Sequence, residues 1–66
     1  MLNKKAIKIV DRAILKAKQE RNTKGYRENL GYDQYPKVQE QIDKLDLSYS
    51  ENSEAMNYFN SQCDLI

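Results

Sequence analysis

Apolar side chains recur at helical spacing in three stretches of the chain, and no stretch alternates as a strand does. In the first, Ala6, Ile7, Val10, Ala13, Ile14 and Ala17 recur turn by turn. Ile9 joins them in an arc of about 160° on a helical wheel. The pattern predicts a helix over 3–23, filled out by alanine, leucine, lysine, glutamine and arginine, all good helix formers. Asn3 is its expected N-cap, because a short side-chain oxygen can accept from the open N–H groups of the first turn. Gly25, just past the last periodic turn, is a natural left-handed stop.

The second stretch carries Tyr35, Val38, Ile42 and Leu45 on a stripe about 80° wide, which suits a helix that touches its neighbours along one seam. It predicts a helix over 34–45, with Asp33 placed to cap it and Pro36 tolerable only within the first turn. The intervening segment from Gly25 to Gly31 is framed by glycines and reads as a loop or one irregular turn. In the third stretch Ala55, Met56, Phe59, Cys63 and Ile66 supply a buried face, with Tyr58 at its margin, for a helix over 50–63. Ser48 or Ser50 is its N-cap, and Glu51 and Glu54 lie favourably near its positive end. The expected fold is all-α: residues 1–66 form a single domain, a small three-helix bundle.

Composition changes this picture in two ways. A chain of 66 residues leaves little room for a core, since such chains bury only about 60% of their unfolded surface. The usual aids to so small a domain are disulfides, a metal or a partner chain. With one cysteine, Cys63, and no histidine, neither an intramolecular disulfide nor a zinc site is expected. That leaves tight helix packing, a homodimer, or docking on something larger. A lone cysteine and the lack of an Asn-x-Ser/Thr acceptor suit a reducing compartment. The lysines spread through Met1 to Val10 interrupt the apolar run a secretion signal needs, and no stretch is apolar enough to span a bilayer. The expected location is the cytosol, with no membrane partner.

Charge is the second change. The net charge of +1 hides an imbalance: residues 1–27 hold nine Lys and Arg against Asp11 and Glu20, a net of +7. Residues 28–66 hold Lys37 and Lys44 against eight acids, a net of −6. The folded surface should therefore carry opposite poles.

Within the basic half, Lys4, Lys5, Lys8, Arg12 and Lys16 share an arc of about 120° opposite the apolar one. Such a row can serve as a solvated face, neutralise nucleic-acid phosphates, or dock on an acidic protein groove or an anionic membrane. Leu15 lies among these cations, which suits either a singly exposed apolar residue or a protein-binding face. Tyr26, Tyr32 and Tyr35, with Lys24, Arg27 and Asn29, make a segment of aromatics and cations. Tyrosines there can cover a thin core, form an interface, or stack on unpaired bases. Catalysis finds little support. The pairs Glu40/Asp43 and Asp43/Asp46 share a helix face without any sign of a cleft to shift a pKa, and Cys63 has no basic neighbour in sequence. There is no phosphate-binding glycine loop and no calcium loop, so no enzyme, cofactor or metal is expected.

The basic amphipathic first helix followed by Gly25-Tyr26-Arg27-Glu28-Asn29-Leu30-Gly31 resembles small uncharacterised proteins of phages and prophages of Gram-positive bacteria. The resemblance runs from about Ala13 to Leu45, with those seven residues as its core. It implies a short accessory protein that binds host or phage machinery stoichiometrically, bacterial defence enzymes included. The expected function is thus non-enzymatic binding to a protein partner, with inhibition as one outcome. Lys8, Arg12, Leu15, Lys16, Tyr26, Arg27 and Tyr32 are the candidate contact residues. A small nucleic-acid-binding regulator using the same cations is the alternative, and a self-assembling structural subunit the third reading.

Overall fold

The computed structural model describes residues 2–25 and 30–65, and within them the chain is a three-helix bundle. Helix α1 spans Lys4–Lys24, α2 spans Tyr35–Asp43 and α3 spans Tyr49–Cys63, with a single 3-10 turn at Tyr32–Gln34 leading into α2. No strand occurs among the described residues.

Each start and stop has a local cause. The Asn3 side chain accepts from the N–H groups of Lys5 at 2.9 Å and Ala6 at 3.3 Å, as an N-cap does. Gly25 closes α1 by donating its N–H to the Arg21 carbonyl at 3.0 Å. Its φ of 85° and ψ of 169° lie outside the expected left-handed helical well. That extended, positive-φ conformation is nearly exclusive to glycine. The second helix departs furthest from expectation. Asp33 does not cap it; that residue sits inside the 3-10 turn, and Gln34 precedes α2 with no side-chain cap at all. Pro36 lies in the first turn, where its missing N–H costs nothing. The helix also ends before Leu45. The N–H groups of Leu45 and Asp46 bond three residues back, to Ile42 and Asp43, and Asp46 takes a left-handed φ of 54°. Aspartate tolerates that conformation better than most residues, so the turn is tightened at modest cost. Ser48, not Ser50, caps α3: its hydroxyl accepts from the Glu51 N–H at 3.2 Å.

The core is drawn from all three helices. Ala6, Val10 and Ile14 of α1 meet Val38 and Ile42 of α2 and Ala55, Met56, Phe59 and Cys63 of α3. Phe59 is 0% exposed and lies at the centre, with the Tyr32 and Tyr35 rings against it at centroid distances of 6.4 and 6.1 Å. Tyr35, expected in the buried stripe of α2, instead covers the core from an exposed position. Leu30, in the segment read as a loop, is buried. The expected contribution of Ile66 lies outside the described residues. Gly31 has ordinary helical angles, and its requirement is space: a Cβ there would stand 2.9 Å from Cys63 Sγ. At about 1.5 Å per residue α1 outreaches both partners. Past Ala17 it carries no buried residue.

Candidate functional site

α1 presents its flanks to two different partners. Toward α3 the seam is tied: the Tyr58 hydroxyl donates to Asp11 Oδ1 at 2.7 Å. That bond, then partial burial and the nearby negative charge, raises the tyrosine pKa above its ordinary value. Toward α2 the helices splay into a groove of about 230 Å³. Ile9 and Ala13 of α1 and Val38 of α2 form its apolar floor. Arg12 and Lys16, one turn apart on α1, stand on one wall, with Lys37 and Gln41 of α2 opposite and Gln34 at the head of α2.

Three cations and no carboxylate line this groove. Arg12, Lys16 and Lys37 are exposed, and among the described residues none has an ion pair or hydrogen bond through its side chain. The acids of α2 are engaged elsewhere. Glu40 lies 3.4 Å from Lys44 Nζ, and Asp43 accepts from Gln39 and Asn52 on the side facing α3. The positive potential of the groove is thus not cancelled within its walls.

Gln34 is the unusual member. Its residue exposure is 8%, yet its side-chain amide has no hydrogen-bond partner among the described residues. No side-chain polar atom sealed from solvent lacks a partner there, so this amide reaches water through the groove that it lines. Gln34 does no capping at the head of α2, so the fold itself makes no use of the group.

Of the residues singled out from sequence, the structure brings Arg12 and Lys16 into this groove. Lys8 and Leu15 stand exposed on the outer face of α1, with Leu15 57% exposed, and do not line it. Tyr32 is exposed and does not line the groove: its ring meets Phe59 edge-on at the rim of the core, and its hydroxyl donates to Asp64 Oδ1 at 2.8 Å. That bond is the first cause of its raised pKa. Tyr26 and Arg27 lie outside the described residues. Lys37, Gln34 and Gln41 were missed. The signal was present, because 34, 37, 38 and 41 repeat at steps of three and four, and Lys37 is one of only two cations in the acidic half.

Cys63 is buried, and its thiol is pushed up to about 11, by burial first and by the Asp64 charge second. Little thiolate exists there near neutral pH. Among the described residues no three His, Cys, Asp or Glu gather to hold a metal ion, and no helix is long and apolar enough to cross a membrane. No protein-family model, curated protein or solved structure matches this chain.

Proposed function

We propose that this chain is a stoichiometric binding protein that engages an acidic surface of a protein partner along the cationic edge of α1. One observation carries the reading: Arg12, Lys16 and Lys37 converge on one groove with no acid among its lining residues, although the chain has acids enough to neutralise them. An uncompensated patch of this kind speeds encounter with an oppositely charged partner and fixes its orientation. In the phage setting that the GYRENLG segment implies, the partner would be a host or phage enzyme, occluded or biased by a small rigid bundle.

The test compares wild-type protein with the Arg12→Glu/Lys16→Glu double variant. Capture from bacterial lysate identifies what binds, and association rates are then measured at two salt concentrations. The double variant is expected to associate about tenfold more slowly at low salt, with a smaller change in dissociation. Equal association by the two proteins would remove the α1 edge from consideration. Random duplex and single-stranded DNA serve as the competing probe. A log–log salt slope near −0.9 per contacted phosphate, with tighter binding than to any protein, would overturn the reading in favour of nucleic acid.

A further inference from the structure

We infer that the α1–α2 groove is a receptor for a single glutamate or aspartate side chain, carried beside an aliphatic residue on an acidic segment of the partner protein. This rests on the partner-binding reading above and adds where, and by which atoms, the partner is held.

Three features of the groove point to that occupant. Its volume of about 230 Å³ lies below the range of roughly 300–1,000 Å³ typical of pockets for free small molecules. One or two side chains projecting from a larger body suit it better. Its polar wall is donor-rich and suits an anion. Arg12 presents a guanidinium fork, Lys16 and Lys37 add point charges, and the unbonded Gln34 amide can donate an N–H from the buried end. A carboxylate has the acceptors to satisfy these groups together.

The floor is the third feature. Ile9, Ala13 and Val38 are apolar, so an occupant gains by bringing an aliphatic group along with its charge. A nucleic-acid backbone offers phosphates and sugars but nothing to cover that floor. It would also have to pass the acids that dominate residues 28–66. An acidic and aliphatic peptide meets both demands.

The test is an amide chemical-shift titration of the full chain. The probe is a capped peptide alternating leucine and glutamate, with its glutamine counterpart as control at about 0.15 M salt, where exposed charges are largely screened beyond about 8 Å. Shifts are expected at Ala13, Lys37, Val38 and Gln41 and at the Gln34 side-chain NH2, with the glutamine peptide at least fivefold weaker. Gln34→Met keeps length and helix propensity while deleting the amide, and should weaken the glutamate peptide about threefold to tenfold. Lys37→Glu should abolish binding, with helicity checked by circular dichroism.

Several outcomes would overturn the inference. Shifts confined to other faces, equal binding of the two peptides, or full binding by Gln34→Met would each do so. Inorganic phosphate binding as well as the peptide would mean a simple anion site. Shifts at the same amides on raising protein concentration alone would assign the groove to a second copy of the chain. If partner association depends on Arg12 and Lys16 but not on Gln34 or Lys37, the binding reading survives and this inference fails. If it depends on none of the four, both fail.

Discussion

On the flank of α2 that faces α3, Gln39 Nε2 donates to Asp43 at 2.9 Å and to Asn52 at 3.3 Å, and Asn52 Nδ2 donates back to Asp43 at 3.1 Å. On the flank that faces α1, Gln34 and Lys37 of the same segment have no such partner across the groove. The α1–α3 seam resembles the first flank through Tyr58 and Asp11, and the Tyr32–Asp64 bond fastens the 3-10 turn to the end of α3. Among the described residues, side-chain hydrogen bonds thus cross two of the three helix seams, and none crosses between α1 and α2. Exposed polar bonds of this kind contribute little singly, so the difference is poorly explained as a stability device. On the proposed function, the tied seams set the angles between helices, and the open seam keeps its donors available for a partner. Substitutions should therefore separate into those that lower stability and spare binding, and those that do the reverse.

The largest effect should come from the residue beneath both regions. Phe59 is fully buried and holds the Tyr32 and Tyr35 rings in place. Phe59→Ala is expected to cost about 3–5 kcal/mol. A chain of this length has only about 3–10 kcal/mol to lose. Thermal melting followed by circular dichroism should lose its cooperative transition. A variant that still melts sharply, within a few degrees of wild type, would show that the core is not centred there.

A smaller loss, confined to the tied side, is expected at Gly31. Because its φ of −68° is open to any residue, a substitution there tests close packing alone. Gly31→Ala would drive a Cβ to 2.9 Å from Cys63 Sγ and 3.2 Å from its Cα, so α3 must give way. The cost should be about 1–3 kcal/mol by urea denaturation. Cys63→Ala removes the nearer clash and leaves the backbone one, so the double variant should recover part of that loss, with a coupling of at least about 0.5 kcal/mol. Strict additivity would mean that the two segments are not in contact. Binding of the glutamate peptide should be unchanged throughout.

These cases also show where the sequence was legible. Periodicity gave α1 nearly whole, because Ala6, Val10, Ile14 and Ala17 recur over many turns and Asn3 and Gly25 mark the ends chemically. It gave α2 less well. A helix of nine residues has few turns to average over, and its start is set by a 3-10 turn that no capping residue announces. The segment ending in Leu30 and Gly31 was legible as a loop or irregular turn, but not the burial of Leu30 or the approach of Gly31 to Cys63, because local spacing carries no information about a contact more than thirty positions away. The site was half legible for the same reason. Arg12 and Lys16 stand on one strongly periodic helix, whereas the place of Lys37 and Gln34 in the groove exists only once α2 is laid beside α1. That the exposed Tyr32 ring also rests on Phe59 was one of several readings open to it, because an aromatic near cations gives no sign, in one dimension, of which way its ring turns.

The smallest effects sharpen the contrast most, because they pair one substitution from each flank of α1. Tyr58→Phe deletes the bond to Asp11 and should cost about 0.5–1 kcal/mol, the low end for a hydrogen bond because this one is exposed. Lys37→Ala removes a cation with no partner across the groove and should change stability by no more than about 0.5 kcal/mol in either direction. Alkaline pH probes the Tyr58 bond further. The folded-state pKa of Tyr58 is raised, so its contribution is complete below the ordinary tyrosine value of 10.0 and disappears as pH climbs through the higher folded value. Cys63 and Tyr32 are raised as well, so both proteins lose stability as the medium turns alkaline. The gap between wild type and Tyr58→Phe should nevertheless close in that range. Urea midpoints at neutral and alkaline pH read this gap. A Tyr58→Phe gap that persists at high pH would mean that the Asp11 bond does not tie the seam, and the distinction between the tied and open sides of α1 would fall with it.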